Sequence, residues 1–164
     1  ADEHIFCVGD AAGDPHLAHV AYHEGKVAGA VAAGDDESLD DTYIPSVMYT
    51  DPEVAVVGLS ETEARDRHGD ITVGEVPLSG SGRALSANKS AGYVKVVAAA
   101  DGTLLGAQIV GARASDSIAE ATLALELDAT LSDLTSTLHA HPTFPEALAD
   151  AAAAASGESI HTPQ

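Results

Sequence analysis

Tryptophan is absent, cysteine and methionine occur once each, and aromatic residues make up 4% of the 164 positions. A single cysteine, Cys7, excludes an intrachain disulfide and any paired-cysteine redox or zinc framework within this chain. Basic residues are nearly as scarce: three Lys and four Arg stand against 26 Asp+Glu, giving a formal net charge of −19. So few cations cannot form the clustered patch that displaces phosphate counterions, which argues against nucleic acid or another polyphosphate as partner. No apolar run approaches the ~18 residues that would cross a bilayer, and no basic segment precedes an apolar stretch as in a secretory leader. A soluble, cytoplasmic protein without a membrane partner is the expectation. The first residue is Ala1, as expected of a processed or excised C-terminal piece, or of a chain missing its Met.

What is present is enough to fold. Hydrophobic residues make up 45% and charged residues 20%, so the acidity is not a signature of disorder. An acidic, lysine-poor, core-competent chain points to a protein adapted to concentrated salt, where screening removes self-repulsion.

The pattern divides the chain. Over residues 1–34, Ile5-Phe6-Cys7-Val8 is a continuous apolar run closed by Gly9-Asp10, which predicts a strand buried on both faces. Leu17, Ala18, Ala21, Gly25, Ala28 and Val31 then recur at helical spacing up to Gly34. Residues 35–42 read as an acidic linker, and residues 43–157 as a separate domain, with 158–164 a frayed tail. Within that domain, strands are expected over Tyr43 to Thr50, Val54 to Val57, Ile71 to Val76, Tyr93 to Ala98 and Leu104 to Val110, the last two joined across Asp101-Gly102. Ser60 with Glu63, and Ser117 with Glu120, have capping-box spacing for two helices. Residues 79–83 read as a loop, and further helices are expected over 131–138 and 143–155. Strands first, helices after, give an α+β domain: an antiparallel sheet with flanking helices. Its apolar face around Ile118, Leu125 and the helix after Thr143 exceeds what a small core needs, which predicts a homodimer.

Three groups of residues can carry chemistry. Asp10 ends the first predicted strand, and a carboxylate there can accept hydrogen bonds from ligand hydroxyls beside a helix N-terminus; a simple strand-ending turn fits the same residues. His16, His19 and His23 have the spacing of one helix face, yet no acid completes a ligand set, and surface histidines are the better reading than metal. The third group is His139-Ala140-His141-Pro142-Thr143-Phe144-Pro145-Glu146. The proline holds His141 out of helical backbone, and a carboxylate on one ring nitrogen would make the other an acid–base group near neutrality. Thr143-x-x-Glu146 is also a capping box, so Glu146 either orients His141 or holds its own helix start; spacing leaves both open.

These stretches carry a family resemblance. Residues 5–21 resemble the second flavin-binding motif of the pyridine nucleotide–disulfide oxidoreductases. Thr50-Asp51-Pro52-Glu53-Val54-Ala55-Val56-Val57-Gly58-Leu59-Ser60 is similar to the opening of that family's dimerisation domain. Gly82-Arg83-Ala84, Gly92-Tyr93-Val94-Lys95 and Leu105-Gly106-Ala107-Gln108-Ile109-Val110-Gly111 follow in the family's order, and the His139–Glu146 segment most resembles dihydrolipoyl dehydrogenases. The chain lacks a GxGxxG fingerprint, a nicotinamide domain and a Cys-x4-Cys pair, so it looks like the C-terminal third of such an enzyme: a strand–helix remnant of the FAD-binding domain, then the dimerisation domain. Phe144-Pro145 replaces the commoner Leu-Ser, and the paired C-terminal cysteines expected of a mercuric reductase are missing; a glutathione- or mercuric-reductase-like member and a dimerisation module without catalysis remain the alternatives. The resemblance implies FAD and NAD as cofactors of the parent enzyme, with little or no binding by this chain alone. It implies that Asp10 bonds the flavin ribityl chain and that backbone at Leu17 and Ala18 meets the flavin ring. It implies a buried position for Cys7. It further implies that His141, oriented by Glu146, exchanges a proton with the dithiol of a lipoyl-bearing protein, inside the partner subunit's active site.

Overall fold

A computed structural model of the chain describes residues 4–39 and 43–160. It divides into two compact units, 1–42 and 43–164. The last residues of the acidic linker and of the tail lie outside the described residues.

In the first unit, a 3-10 turn at Gly9–Ala11 precedes α1 (Ala18–Ala33), which stops where Gly34 takes a left-handed φ of 101° and returns its N–H to Ala30 and Val31 carbonyls. The strand expected over Ile5–Val8 does not form. Ile5 and Phe6 are 74% and 46% exposed, and Cys7, expected to be buried, is exposed too. A strand exists through its neighbours' hydrogen bonds, and among the described residues of this unit there is no second strand to supply them. The apolar run has the composition of a buried strand without a neighbour to pair with among the described residues of this unit.

The second unit is built on five antiparallel strands: β1 (Ser46–Met48), β2 (Glu53–Gly58), β3 (Ile71–Pro77), β4 (Tyr93–Ala99) and β5 (Leu104–Gly111), in the order β1-β2-β5-β4-β3. The β4–β5 hairpin turns at Asp101-Gly102, where Gly102 has a φ of 92°. Alternate residues Ala55 and Val57, Ala107 and Ile109, Val94 and Val96 are buried and face α4 (Ala114–Glu126) and α6 (Glu146–Ala155). α5 (Leu131–Ser136) packs on α6. α2 (Glu61–His68) lies near β3 and β4, where Lys95 sits between Glu75 at 3.0 Å and Glu61 at 3.7 Å. The Glu75 carboxylate, with lesser help from Glu61, raises the Lys95 pKa. The α+β architecture expected from the sequence is the one observed.

Local corrections have local causes. The Ser60–Glu63 capping box opens α2, but Ser117 and Glu120 lie inside α4, which starts three residues earlier after Arg113 in left-handed conformation. Thr130 and Asp133 form a capping box at α5 that sequence reading overlooked, because Asp stands where Glu or Gln is usual. Residues 79–83 are not loop throughout: the Ser81 hydroxyl accepts from the Ala84 N–H and opens the short α3 (Gly82–Ser86). Ile118 and Leu125, expected on an outward apolar face, are 2% and 1% exposed, since with Ala121 they form the stripe turned onto the sheet. The outward apolar residues of this region are Leu123 and Leu127, 61% and 69% exposed.

β3 and α6 meet closely at Gly74, where an added Cβ would run into the Ala151 carbonyl oxygen and the Ala155 nitrogen of α6. Gly74→Ala forces the helix off the strand and should cost about 1–3 kcal/mol, the usual range for overpacking, read by chemical denaturation in high salt.

Acid sensitivity follows from the caps. The Ser60 hydroxyl lowers the Glu63 pKa, and the Thr130 and Thr103 backbone N–H groups lower those of Asp133 and Asp101. Because the folded values are depressed, their stabilisation is complete above the ordinary carboxylate range of about 4 and is lost as pH falls through the folded values. The melting temperature should be flat from neutrality to about pH 5 and decline below it. A Ser60→Ala, Thr130→Ala double variant should show a shallower acid decline.

Candidate functional site

The segment between α5 and α6 carries the strongest constellation. After α5, residues 137–145 run as irregular chain, braced by the Thr143 hydroxyl donating to the Ala140 carbonyl at 2.7 Å. Phe144 is 8% exposed and anchors the segment in the core, with the Arg83 guanidinium 6.0 Å from its ring centre. Pro145 stands at the N-cap of α6 with a φ of −59°, where its missing N–H costs nothing. The Phe144-Pro145 pair that departs from Leu-Ser is thus accommodated by an apolar pocket and a helix start.

His141 Nδ1 lies 2.9 Å from Glu146 Oε2, and the ring is 71% exposed while the Glu146 side chain is 17% exposed. The other carboxylate oxygen, Oε1, accepts the Thr143 backbone N–H at 3.2 Å. The two sequence readings of Glu146 are therefore not alternatives. One oxygen holds the helix start and the other holds the imidazole. The capping box is half made, because the Thr143 hydroxyl turns away to Ala140. With Nδ1 engaged as a donor, the lone pair falls on Nε2. Chemically, an imidazole held in that tautomer by a carboxylate can serve as a general base. Beside it, Arg83, Arg113, Pro142, Thr143 and Phe144 line an open cleft of about 300 Å³.

Two residues that sequence reasoning did not assign stand behind this segment. His139 Nε2 lies 2.7 Å from Glu120 Oε1 on α4, and its Nδ1 lies 3.0 Å from the Thr137 carbonyl oxygen. The motif contained His139, but Glu120 had been given to a capping box, and no spacing rule joins residues 19 apart.

The residues at the other end of the chain are not brought into a comparable cluster. Asp10 is exposed in the 3-10 turn, Leu17 is the N-cap of α1 and is half-buried, and Ala18 opens the helix. No side chain caps α1, so its N-terminus presents backbone donors to whatever lies before it. Gly9 donates its N–H to Glu24 at 2.5 Å, and an added Cβ there would sit 3.0 Å from the Ala21 methyl, which holds the turn close against α1. His16 lies outside α1, so the three histidines do not share the helix face that their spacing implied. Among the described residues, no group of three or more His, Cys, Asp or Glu side chains could hold a metal ion.

Comparison with known proteins agrees with the fold. The family model of the pyridine nucleotide-disulphide oxidoreductase dimerisation domain matches residues 44–152. Dihydrolipoyl dehydrogenase 2 of Haloarcula marismortui is 50% identical over 163 residues, covering 99% of this chain and 34% of the relative. Dihydrolipoyl dehydrogenase of Halobacterium salinarum is 48% identical over 161 residues, 98% of this chain and 34% of the relative. Both organisms are halophilic archaea, in keeping with the acidic composition. The solved structure of LpdA from Mycobacterium tuberculosis superposes with a TM-score of 0.82 at 27% identity, over 90% of this chain and 33% of that one. The flavoprotein disulfide reductase RclA from Escherichia coli shares the fold, with a TM-score of 0.84 at 22% identity, over 91% of this chain and 35% of that one. The chain spans about a third of the length of the curated relatives it matches, 34% in each case. No helix among the described residues is long and apolar enough to cross a membrane. A five-stranded antiparallel sheet under flanking helices, relatives that are dihydrolipoyl dehydrogenases and a family model matching most of the second unit lead to one assignment: the chain belongs to the pyridine nucleotide-disulphide oxidoreductase dimerisation-domain family.

Proposed function

We propose that this chain provides the dimer contact and the thiol acid–base group of a cytoplasmic dihydrolipoyl dehydrogenase-type enzyme. The observation that carries the reading is the His141–Glu146 bond of 2.9 Å with the imidazole 71% exposed. In this reading residues 1–34 belong to the FAD-binding domain, 35–42 link it to the dimerisation domain at 43–157, and 158–164 are a tail.

The chemistry asked of these residues is proton transfer. A thiol attacks a disulfide only as thiolate, so the dithiol of a lipoyl-bearing protein must first lose a proton. His141 accepts it at Nε2, and the Glu146 carboxylate stabilises the imidazolium that forms and keeps Nδ1–H in place. An exposed ring can do this only where another surface closes over it and excludes water, which fits a homodimer in which His141 enters the partner's active site. Bound in the whole enzyme, FAD and NAD⁺ would supply the final acceptor for the two electrons that the dithiol gives up through a redox disulfide. The exposed Asp10 carboxylate suits hydrogen bonds from the ribityl hydroxyls, and the uncapped α1 start at Leu17 and Ala18 suits backbone bonds to the polar edge of the flavin ring.

The full-length enzyme should reduce NAD⁺ with dihydrolipoamide; a purified, flavin-loaded enzyme with no such turnover would remove the reading. The 164-residue chain alone should bind FAD weakly or not at all. It has no GxGxxG fingerprint, and Ile5–Val8 has no sheet partner among the described residues. Tight stoichiometric binding in a fluorescence titration would show that α1 and its preceding turn form a flavin site unaided.

A further inference from the structure

Behind the dyad lies a second histidine–carboxylate pair with a different character. His141 is 71% exposed, whereas the His139 side chain is 11% exposed and that of its partner Glu120 30%. His139 uses both ring nitrogens: Nε2 meets Glu120 Oε1 at 2.7 Å, and Nδ1 meets the Thr137 carbonyl at 3.0 Å. Both partners are acceptors, so both bonds are made together only by a ring carrying both N–H protons. The first bond reaches from the 137–145 segment to α4. The second folds that segment back on itself two residues earlier.

Glu120 is well placed to act as an anchor. It projects from α4, whose opposite stripe, Ile118, Ala121 and Leu125, is locked onto β2 and β5. α4 is thus a rigid post, and His139 ties the segment to it two residues before His141. On the far side of His141, Phe144 is buried in the core and Glu146 begins α6. Without the His139 bond, the stretch between the end of α5 and Phe144 would be held on one side only. The neighbour of His139 shows that burial is not the cause of its placement: Leu138 is 99% exposed, so at this bend the apolar residue faces out and the polar one faces in. A hydrogen-bonded imidazole turned inward beside a leucine turned outward is the reverse of what hydrophobic burial selects.

We propose that His139 and Glu120 are positioning residues, whose bond fixes the 137–143 segment on α4 and thereby sets where the His141 imidazole points. The consequence for activity rests on the acid–base reading of His141; the consequence for geometry does not. Neither side chain touches the reacting atoms. A misplacement of about 1 Å in a catalytic group can cost about 100-fold in rate, so a clamp two residues away is worth a comparable amount.

The test has two arms. In the full-length enzyme, Glu120→Ala and His139→Ala should lower kcat for dihydrolipoamide oxidation about 10- to 100-fold with KM little changed, because a misaimed base affects the chemical step. Glu120→Gln, which retains an acceptor for Nε2–H, should recover part of the loss. On a His141→Gln background, Glu120→Ala should cost nothing further. In the 164-residue chain, without flavin, nitrogen-15 NMR of the imidazoles should show both His139 ring N–H protons slowed in exchange. Glu120→Ala should shift and broaden the His141 ring signals, and Glu120→Gln should do so less. If Glu120→Ala lowers the melting temperature but leaves both kcat and the His141 ring signals unchanged, the pair is only a structural tie and the proposal falls. If His141→Gln itself leaves turnover intact, the acid–base reading fails, and the NMR arm alone then decides the positioning claim. Should Glu120→Ala fail to fold, Glu120→Gln and His139→Ala carry the same comparisons.

Discussion

Glu146→Gln in the full-length enzyme is expected to lower turnover by about two to four orders of magnitude while leaving the fold intact. Glutamine keeps one carbonyl oxygen, which can still accept the Thr143 N–H now held at 3.2 Å, so the start of α6 is preserved. The other position becomes an amide NH₂ facing His141 Nδ1 at about the distance of the present 2.9 Å contact. An amide donates there, so the imidazole must flip its tautomer and put its proton on Nε2, the nitrogen that should accept from the thiol. The base is lost without any change in packing. His141→Gln should be at least as damaging, and the double variant no worse than the more damaged single, because the two residues act as one unit. Glu146→Ala differs: it also deprives the Thr143 N–H of its partner, so about 1 kcal/mol of stability should go with the activity. Comparing kcat with thermal stability across the three variants separates the orienting oxygen from the capping oxygen. A Gln variant with normal turnover and an Ala variant that is merely less stable would reduce Glu146 to a helix cap.

The second large effect concerns association. The 164-residue chain should be a dimer in molar salt and should shift towards monomer as salt is withdrawn. The formal charge of −19 repeats on both partners, and the Debye length grows from about 3 Å at 1 M to about 10 Å at 0.1 M salt. Replacing Leu123 and Leu127 together by Glu should give a monomer at every salt concentration, since these are the apolar residues that α4 and its end turn outward, 61% and 69% exposed. Ile118→Glu is not an equivalent probe: Ile118 is 2% exposed in the chain's own core, and the variant should unfold. Light scattering on folded samples reads the outcome. A double Leu variant that stays dimeric would move the contact to another surface.

What was legible in the sequence was whatever depends on neighbours along the chain. The β4–β5 hairpin follows from Asp101-Gly102 between two apolar runs, and the α2 start from Ser60 and Glu63. The His141–Glu146 bond spans five residues, so motif and spacing place its partners together. What was not legible depends on the third dimension. Ile5–Val8 has the composition of a buried strand, but composition does not supply the neighbouring strands that make it one. Ser117 and Glu120 have capping spacing, yet the left-handed Arg113 starts α4 earlier and frees Glu120 for His139. The periodicity of Ile118, Ala121 and Leu125 announces an apolar face without saying whether it turns to the chain's own sheet or to another molecule. Packing decided for the sheet.

The most direct measurement is complementation between two inactive subunits of the full-length enzyme. One carries His141→Gln and is otherwise intact; the other keeps His141 and has the paired redox cysteines, which the proposed function requires outside these 164 residues, replaced by serine. If His141 and Glu146 serve the partner's active site, each homodimer is inactive, but the mixed dimer pairs intact cysteines with an intact His141 at one of its two sites. Dihydrolipoamide oxidation should then reappear when the subunits are co-expressed and the mixed dimer is purified. A mixed dimer as inactive as its parents would mean that His141 does not act across the interface, and would contradict the assignment of dimer contact and acid–base group to this one chain.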